Sequence, residues 1–501
     1  MADPMYILAI DQGTTSTRSI VFDRESRPLA MAQRELEQFY PRAGWVEHDP
    51  EQIWRDTLET ARQSIEEAGV GVRGIAAIGI ANQRETVVIW ERATGRPIHR
   101  AIVWQDRRTN EICAQLKSDG VEEMVRKRTG LLLDPYFSAT KASWVLNAVP
   151  GARQRAEMGE LAFGTIDSFL LWRLTGGAVH ATDATNAART MLYDIRRQNW
   201  DDDLCELMGI PRCMLPEVRD NSCIYGDTLP ELFGVSLPIA GMAGDQQAAL
   251  FGQACFGPGM SKATYGTGCF MLLNTGTEAP VSAHNLITTP AYCLDGVMAY
   301  ALEGSIFAAG AAVKWLRDGL GIITHARDTN DMAARIHSND GVYMVPAFVG
   351  LGAPHWDPNA RASIHGLTFG SNSAHLARAA LEAVVYQTLD LADAMKADGA
   401  AATTMRLDGG MAANDWLCQF LADIRGAPVE RPAHLETTAL GAAYHAGLAV
   451  GLWSSLDALS QGWAAGARFE PHMGSVERQG LVEGWRDAVA RTLSNRSSPK
   501  I

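Results

Sequence analysis

Tyr6-Ile7-Leu8-Ala9-Ile10-Asp11-Gln12-Gly13-Thr14-Thr15 is an apolar run that ends in an acidic residue and a glycine-threonine turn. Beyond the turn, Ile20 and Phe22 alternate with Ser19 and Asp23, so the segment reads as a β-hairpin. Glycine at the tip lets the backbone approach an anion, and the threonines add N–H and hydroxyl donors that can converge on phosphate oxygens. Asp11 at the strand end would repel that phosphate unless a divalent cation sat between them, which implies Mg²⁺. About half a chain later, Tyr265-Gly266-Thr267-Gly268 repeats the turn. A single turn of this kind is usually structural. Two facing hairpins can hold the two ends of a triphosphate.

With 501 residues the chain exceeds what one hydrophobic core usually supports, so two domains are expected. A content of 47% hydrophobic and 20% charged residues is that of a soluble globular protein. The net charge of -13 argues against a nucleic-acid backbone or an anionic membrane as partner, since either would be repelled over most of the surface. The first residues carry no cationic segment ahead of their apolar run, and no stretch reaches about 18 uncharged apolar residues, so neither a signal peptide nor a membrane span is expected. The eight cysteines form no Cys-x-x-Cys pair and have no histidine at metal-ligand spacing. They read as reduced, mostly buried thiols of a cytoplasmic protein.

Strand-like runs such as Ile75–Ile80 and Thr86–Trp90 alternate with helical stretches, which indicates an α/β architecture. Leu376, Ala380, Ala383, Val384 and Leu391 recur at helical spacing and predict a long packed helix between Ser373 and Lys396. The boundary falls between Ala254 and Gly259, giving domains 1–254 and 255–501, each with its own glycine-threonine hairpin. A frayed tail is expected from Ser494 onward.

Asp245, in Gly244-Asp245-Gln246-Gln247, stands where a helix would begin, beside the domain boundary. It reads either as a helix cap or as the base that a hydroxyl nucleophile needs. The loop Asn82-Gln83-Arg84-Glu85-Thr86 concentrates polar groups at a strand end, where α/β proteins bind ligands; a solvated Arg84–Glu85 ion pair is the alternative. Trp104, Tyr136 and Phe270 each adjoin polar motif residues, as a small polyol site would require, although such rings more often belong to the core. Asp408-Gly409-Gly410-Met411-Ala412-Ala413-Asn414 places a double glycine where a backbone could approach adenine, ribose or phosphate. No Walker Gly-x-x-x-x-Gly-Lys-Ser/Thr and no protein-kinase His-Arg-Asp set occurs.

These segments, together with Gly44-Trp45-Val46-Glu47-His48-Asp49-Pro50, Asp134-Pro135-Tyr136-Phe137 and Gly350-Leu351-Gly352-Ala353-Pro354, resemble the FGGY carbohydrate kinases from about Tyr6 to Trp453. The resemblance implies two actin-like, ribonuclease-H-like domains with ATP and substrate in the cleft between them. Asn82 to Thr86 and Trp104 point to the branch that phosphorylates glycerol to sn-glycerol 3-phosphate. In that branch Arg84, Glu85, Tyr136, Asp245 and Gln246 would bond the glycerol hydroxyls, and Trp104 and Phe270 would sandwich its carbons. Asp245 would be the base. Thr14, Thr15, Ser16, Arg18, Thr267, Gly310, Lys314, Gly410 and Asn414 would lie against the nucleotide, with Lys314 where related members often carry Gln. Asp11 would hold Mg²⁺, and the protein would be a homodimer or homotetramer. Segment 226–241 holds neither the Gly-Gly/Arg loop that binds fructose 1,6-bisphosphate in some bacterial relatives nor the histidine that others phosphorylate, so both controls are expected to be missing. Two rivals stay open here: a kinase of the same family for another polyol or sugar, and an ATPase that couples closure to partner binding.

Overall fold

The computed structural model describes residues 5–494, so residues 1–4 and most of the expected frayed tail, 495–501, lie outside the described residues. Its first half is built on a six-stranded sheet: β1 (Tyr6–Gln12), β2 (Ser16–Phe22), β3 (Pro28–Glu35), β4 (Ile75–Asn82), β5 (Ser222–Asp227) and β6 (Pro238–Gly244). In space these run β5-β6-β4-β1-β2-β3. β1 pairs antiparallel with its hairpin partner β2 on one side and parallel with β4 on the other. β1 and β4 are continuous apolar runs because a parallel centre is covered on both faces.

The second half repeats the plan with seven strands: β7 (Met260–Tyr265), β8 (Cys269–Gly276), β9 (Ile287–Leu294), β10 (Val297–Ile306), β11 (Thr404–Asp408), β12 (Val429–Pro432) and β13 (Ala465–Phe469). Their order is β9-β10-β8-β7-β11-β12-β13. Again the first strand, β7, pairs antiparallel with its hairpin partner and parallel with a later strand, β11. The duplicated turn in the sequence is therefore a duplicated sheet plan.

Five helices matter for the site: α1 (Asp245–Gly252), α2 (Gly310–Asp318), α3 (Ser373–Ala397), α4 (Asp415–Arg425) and α5 (Thr437–Ala449). The long helix expected from Ser373 is α3, and Asn372 and His375 form a capping box at its start. The strand expected over Thr86–Trp90 starts later, at Val88. Glu85 takes a left-handed φ of 61°, and a tight turn binds Thr86 N–H to the Arg84 carbonyl at 2.8 Å.

α5 belongs to the second half in sequence but lies on the sheet of the first. Close approach there depends on glycine. A Cβ on Gly79 of β4 would stand 2.1 Å from the Ala442 carbonyl oxygen, and one on Gly241 of β6 would stand 2.4 Å from the Ala446 nitrogen. One apolar cluster accordingly joins Ile7, Ala77 and Phe251 to Leu272, Ala301, Ala443 and Tyr444. The two halves share a core at the floor of the cleft.

His445 of α5 lies within that shared core, stacked on Phe251 at 3.8 Å and bonded to Ser222 Oγ at 3.0 Å. Burial holds its ring neutral, with a pKa lowered to about 3, and burial lowers His48 to about 4. Both folded values lie below that of the unfolded chain, so the unfolded state takes up protons first and stability is lost as pH falls from about 6.5. Each such histidine contributes a loss of stability of about 1.4 kcal/mol per pH unit between pH 6.5 and 4, against the opposite contribution of the buried carboxyls of Asp183 and Asp390, which are raised to about 7. Scanning calorimetry checks this, because His445→Asn should remove one such loss, and an identical pH slope in that variant would exclude His445 as a source.

Candidate active site

Strand ends from both halves converge on Asp245. Burial raises the pKa of its carboxyl, opposed by Arg84 and Lys262. One quarter of the Asp245 side chain remains open to solvent, and Oδ1 accepts the Gln246 backbone N–H at 2.7 Å. The helix cap is Gly244, so Asp245 is the first helical residue and its carboxylate extends from the helix start. Behind it, the Gly244 N–H is fixed by Thr185 Oγ1 at 2.9 Å, within a buried network that includes Asp183, Asn186 and Asn82. A carboxylate with a raised pKa, held on a rigid turn and partly open, has the properties of a general base.

The Arg84 guanidinium is almost fully saturated by the protein itself. Nη1 donates to Glu303 Oε2 at 2.6 Å and to Gln247 Oε1 at 3.1 Å. Nη2 donates to Glu303 Oε1 at 3.0 Å and to the Tyr136 hydroxyl at 3.2 Å. Nε lies 3.2 Å from Asp245 Oδ1, an ion-pair contact without hydrogen-bond geometry. The solvated Arg84–Glu85 pair allowed by the sequence is thus replaced by a buried network, in which Arg189 Nε donates to Glu85 Oε1 at 2.6 Å. Tyr136 accepts from Arg84, which leaves its own O–H free to donate. Its turn is tied down by Lys141, a buried lysine whose Nζ donates to the carbonyls of Pro135, Tyr136 and Phe137.

Trp104 meets Tyr136 edge-on at 5.5 Å and Phe270 at 6.2 Å with 75° between the planes, so Trp104 and Phe270 make a corner rather than two parallel plates. Trp104 Nε1 donates to Thr14 Oγ1 at 2.9 Å, which links this aromatic corner to the first hairpin turn. Gln246 accepts from Lys262 Nζ, and the same ammonium donates to Thr264 Oγ1 at 2.8 Å. The apolar corner beside Arg84, Glu85 and Asp245 suits a small polyol with C–H and O–H faces.

In the first hairpin, Gly13 N–H bonds the Ser16 carbonyl at 2.9 Å, with Thr14 half-buried, Thr15 exposed and Ser16 buried in β2. In the second, the Gly266 and Thr267 carbonyls receive the N–H groups of Gly310 and of Ala309 and Ala311, which seats the turn on the start of α2. Gly409, at a φ of 83°, lets the next loop pass Tyr265, where a Cβ would lie 2.5 Å from the Tyr265 carbonyl oxygen. Thr267 and Gly410 are exposed, and a Cβ on Gly410 would meet nothing within 4 Å. Gly310 is half-buried against the turn, where a Cβ would lie 2.6 Å from the Gly266 carbonyl oxygen. Asn414 caps α4 through Leu417 N–H at 3.0 Å, Lys314 is exposed on α2, and Arg18 pairs with Glu436 at 2.8 Å.

Asp11 faces Arg18 across the hairpin register, and its carboxylate accepts no hydrogen bond from any described residue. Burial raises its pKa to about 7, the Asp245 charge adds to the rise, and Arg18 opposes it. A buried anion with vacant acceptor sites beside a second carboxylate fits a hard divalent cation that keeps most of its waters. No cluster of three metal-ligating side chains exists among the described residues, so Asp11 fits a cation shared with phosphate oxygens and water.

Glu303, Arg189 and Lys262 were not singled out from sequence. Their signal is faint but real: Glu303 is the one charge in Val297–Ile306, and Lys262 the one charge in Met260–Tyr265.

Two hairpin-led α/β domains that meet around a positioned carboxylate and an aromatic corner define a small-molecule phosphotransferase. Models of the FGGY family of carbohydrate kinases match its N-terminal domain at 6–252 and its C-terminal domain at 261–450. The chain belongs to this family. It is 62% identical to glycerol kinase of Gluconobacter oxydans over 97% of its length and 95% of the relative's, and 59% identical to that of Rhodospirillum centenum over 99% of both. The crystal structure of Plasmodium falciparum glycerol kinase with ADP superposes with a TM-score of 0.92 at 37% identity, covering 99% of this chain and 100% of that one. Gluconate kinase from Lactobacillus acidophilus shares the fold, with a TM-score of 0.88 at 21% identity over 98% of both.

Proposed function

We propose that the enzyme transfers the γ-phosphoryl group of ATP to a terminal hydroxyl of glycerol, giving sn-glycerol 3-phosphate and ADP. The observation that supports this reading is Asp245, partly open to solvent, 3.2 Å from Arg84 Nε and near enough to Asp11 for its charge to raise that carboxyl. Asp245 takes the hydroxyl proton as the oxygen attacks the γ-phosphorus, and the bond to the bridging oxygen breaks to release ADP. Arg84 Nε, Glu85, Tyr136 O–H and Gln246 hold the hydroxyls, while Trp104 and Phe270 pack against the carbons. Thr14, Thr15, Ser16 and Arg18 meet the phosphates from one domain. Thr267, Gly310, Lys314, Gly410 and Asn414 meet the nucleotide from the other. Mg²⁺ bound at Asp11 supplies neutralisation of phosphate charge. Closure of the domains excludes water and so suppresses futile hydrolysis of ATP.

The high identity to glycerol kinases over nearly the whole chain supports glycerol over other sugars. No helix among the described residues is long and apolar enough to cross a membrane, consistent with a cytoplasmic enzyme, and the reading includes a homodimer or homotetramer. The decisive experiment is ADP release from MgATP with and without glycerol, beside dihydroxyacetone, glyceraldehyde, xylulose and gluconate. Stimulation by glycerol above the other compounds is the expected result. A sugar-selective response would replace the substrate, and glycerol-independent hydrolysis would replace the reaction.

A further inference from the structure

Glu303 projects from β10 of the second half into the polyol end of the first, where its side chain is fully buried. Its two oxygens receive four N–H groups. Arg84 approaches with both Nη atoms, at 2.6 and 3.0 Å. Arg189 approaches with both of its own, at 3.0 and 3.3 Å. Two guanidiniums brought this close would repel each other, and the shared carboxylate offsets that repulsion. Burial would raise the Glu303 pKa, but Arg189 and Arg84 outweigh it and hold the group at about 2, so it stays charged at any pH of use.

The consequence is directional. Because Glu303 holds the Nη atoms of both forks, with Gln247 and Tyr136 sharing those of Arg84, neither guanidinium can swing its bidentate face toward Asp245. Arg84 then keeps only an ion-pair contact with Asp245, Nε to Oδ1 at 3.2 Å, and Arg189 Nε donates to Glu85. Without the clamp, an Arg84 fork could turn its stronger bidentate face onto Asp245, which would neutralise the base and fill the place of a substrate hydroxyl.

We propose that Glu303 and Arg189 are positioning residues for glycerol, a cross-domain clamp that fixes Arg84 and Glu85 without touching the substrate. This rests on the glycerol reading above. The polyol site is in this view completed by the second half of the chain at the cleft floor, so closure brings the nucleotide to a site already formed.

The test measures glycerol and MgATP kinetics of wild type, Glu303→Gln and Arg189→Lys, with glycerol affinity read independently from the change in total tryptophan fluorescence without nucleotide. Glu303→Gln keeps the shape but sets an amide N–H₂ against a guanidinium. The expected result is a KM for glycerol raised about 10-fold or more, an equal loss in the fluorescence titration, and a KM for MgATP within about 2-fold of wild type. In an Arg84→Ala background the same substitution should cost no more than about 3-fold, since only the weaker route through Arg189 to Glu85 remains. Arg189→Lys retains the charge and loses the fork, and it decides the matter should Glu303→Gln fail to fold. Glycerol KM unchanged in a folded variant, an equal rise in MgATP KM, or a full effect in the Arg84→Ala background would each overturn the proposal. A wild type with no glycerol response in the same assay would instead overturn the glycerol reading, and the clamp with it.

Discussion

Asp245→Asn should lower kcat by about 10²-fold or more while leaving the protein folded, because it removes a proton acceptor and keeps the shape of the side chain. The amide still fits at the start of α1, where Oδ1 accepts the Gln246 N–H. It cannot take a proton from the attacking hydroxyl. The loss should appear in kcat more than in KM for glycerol, since Arg84, Glu85, Tyr136 and Gln246 would continue to hold the substrate. The substitution also removes a negative charge beside Asp11, whose pKa that charge helps to raise. Single-turnover measurements at saturating MgATP and glycerol separate the chemical step from release of products. Turnover within a few-fold of wild type would remove Asp245 from the role of base and leave it as a hydroxyl ligand.

Gly441→Ala should destabilise the protein by about 3 kcal/mol or more, against the ordinary effect of that substitution in a helix. Alanine in a helix interior is favoured over glycine by about 1 kcal/mol. Here the added methyl would lie 1.8 Å from the Ala248 carbonyl oxygen of α1, and its neighbour is backbone that cannot rotate aside. Gly252 has the reciprocal contact, with a Cβ 2.0 Å from the Thr437 carbonyl oxygen. The α1–α5 crossing therefore has no room at either point, and steric overlap exceeds the helix-propensity gain. A fall in melting temperature of about 6–12 °C is expected for a unit of this size. Because α1 also carries Asp245, activity should fall as the two helices are pushed apart. A variant that melted with wild type would show that the crossing can open without cost.

The two hairpins, the α/β alternation and the helix over Ser373–Ala397 were legible because each is written in a local period, two for strands and 3.6 for helices. Glycine next to threonine marked both turns for the same reason: the demand on φ and on donors is made within a few residues. Arg84 and Glu85 were legible as a polar pair at a strand end. Their surroundings were not. The partners of Arg84 lie as far as 219 residues away in Glu303, and no local pattern encodes so distant a contact. Arg18 was expected against phosphate; its partner in the fold is Glu436, a residue 418 positions away with no motif around it.

By itself, then, the sequence determined what short-range sterics and periodicity can specify: two hairpin-led α/β domains, a carboxylate at a helix start, two glycine-threonine turns and the resemblance that named the family. Tertiary structure alone decided which charges share a site. Burial removed the solvent that would have dispersed Arg84, Glu85, Arg189 and Glu303, so each had to find its counter-charge across the chain or remain uncompensated. It also decided that α5, encoded in the second half, would complete the core of the first, because Gly79 and Gly241 on the sheet and Gly441 on the helix leave backbone close enough to backbone for the two to pack.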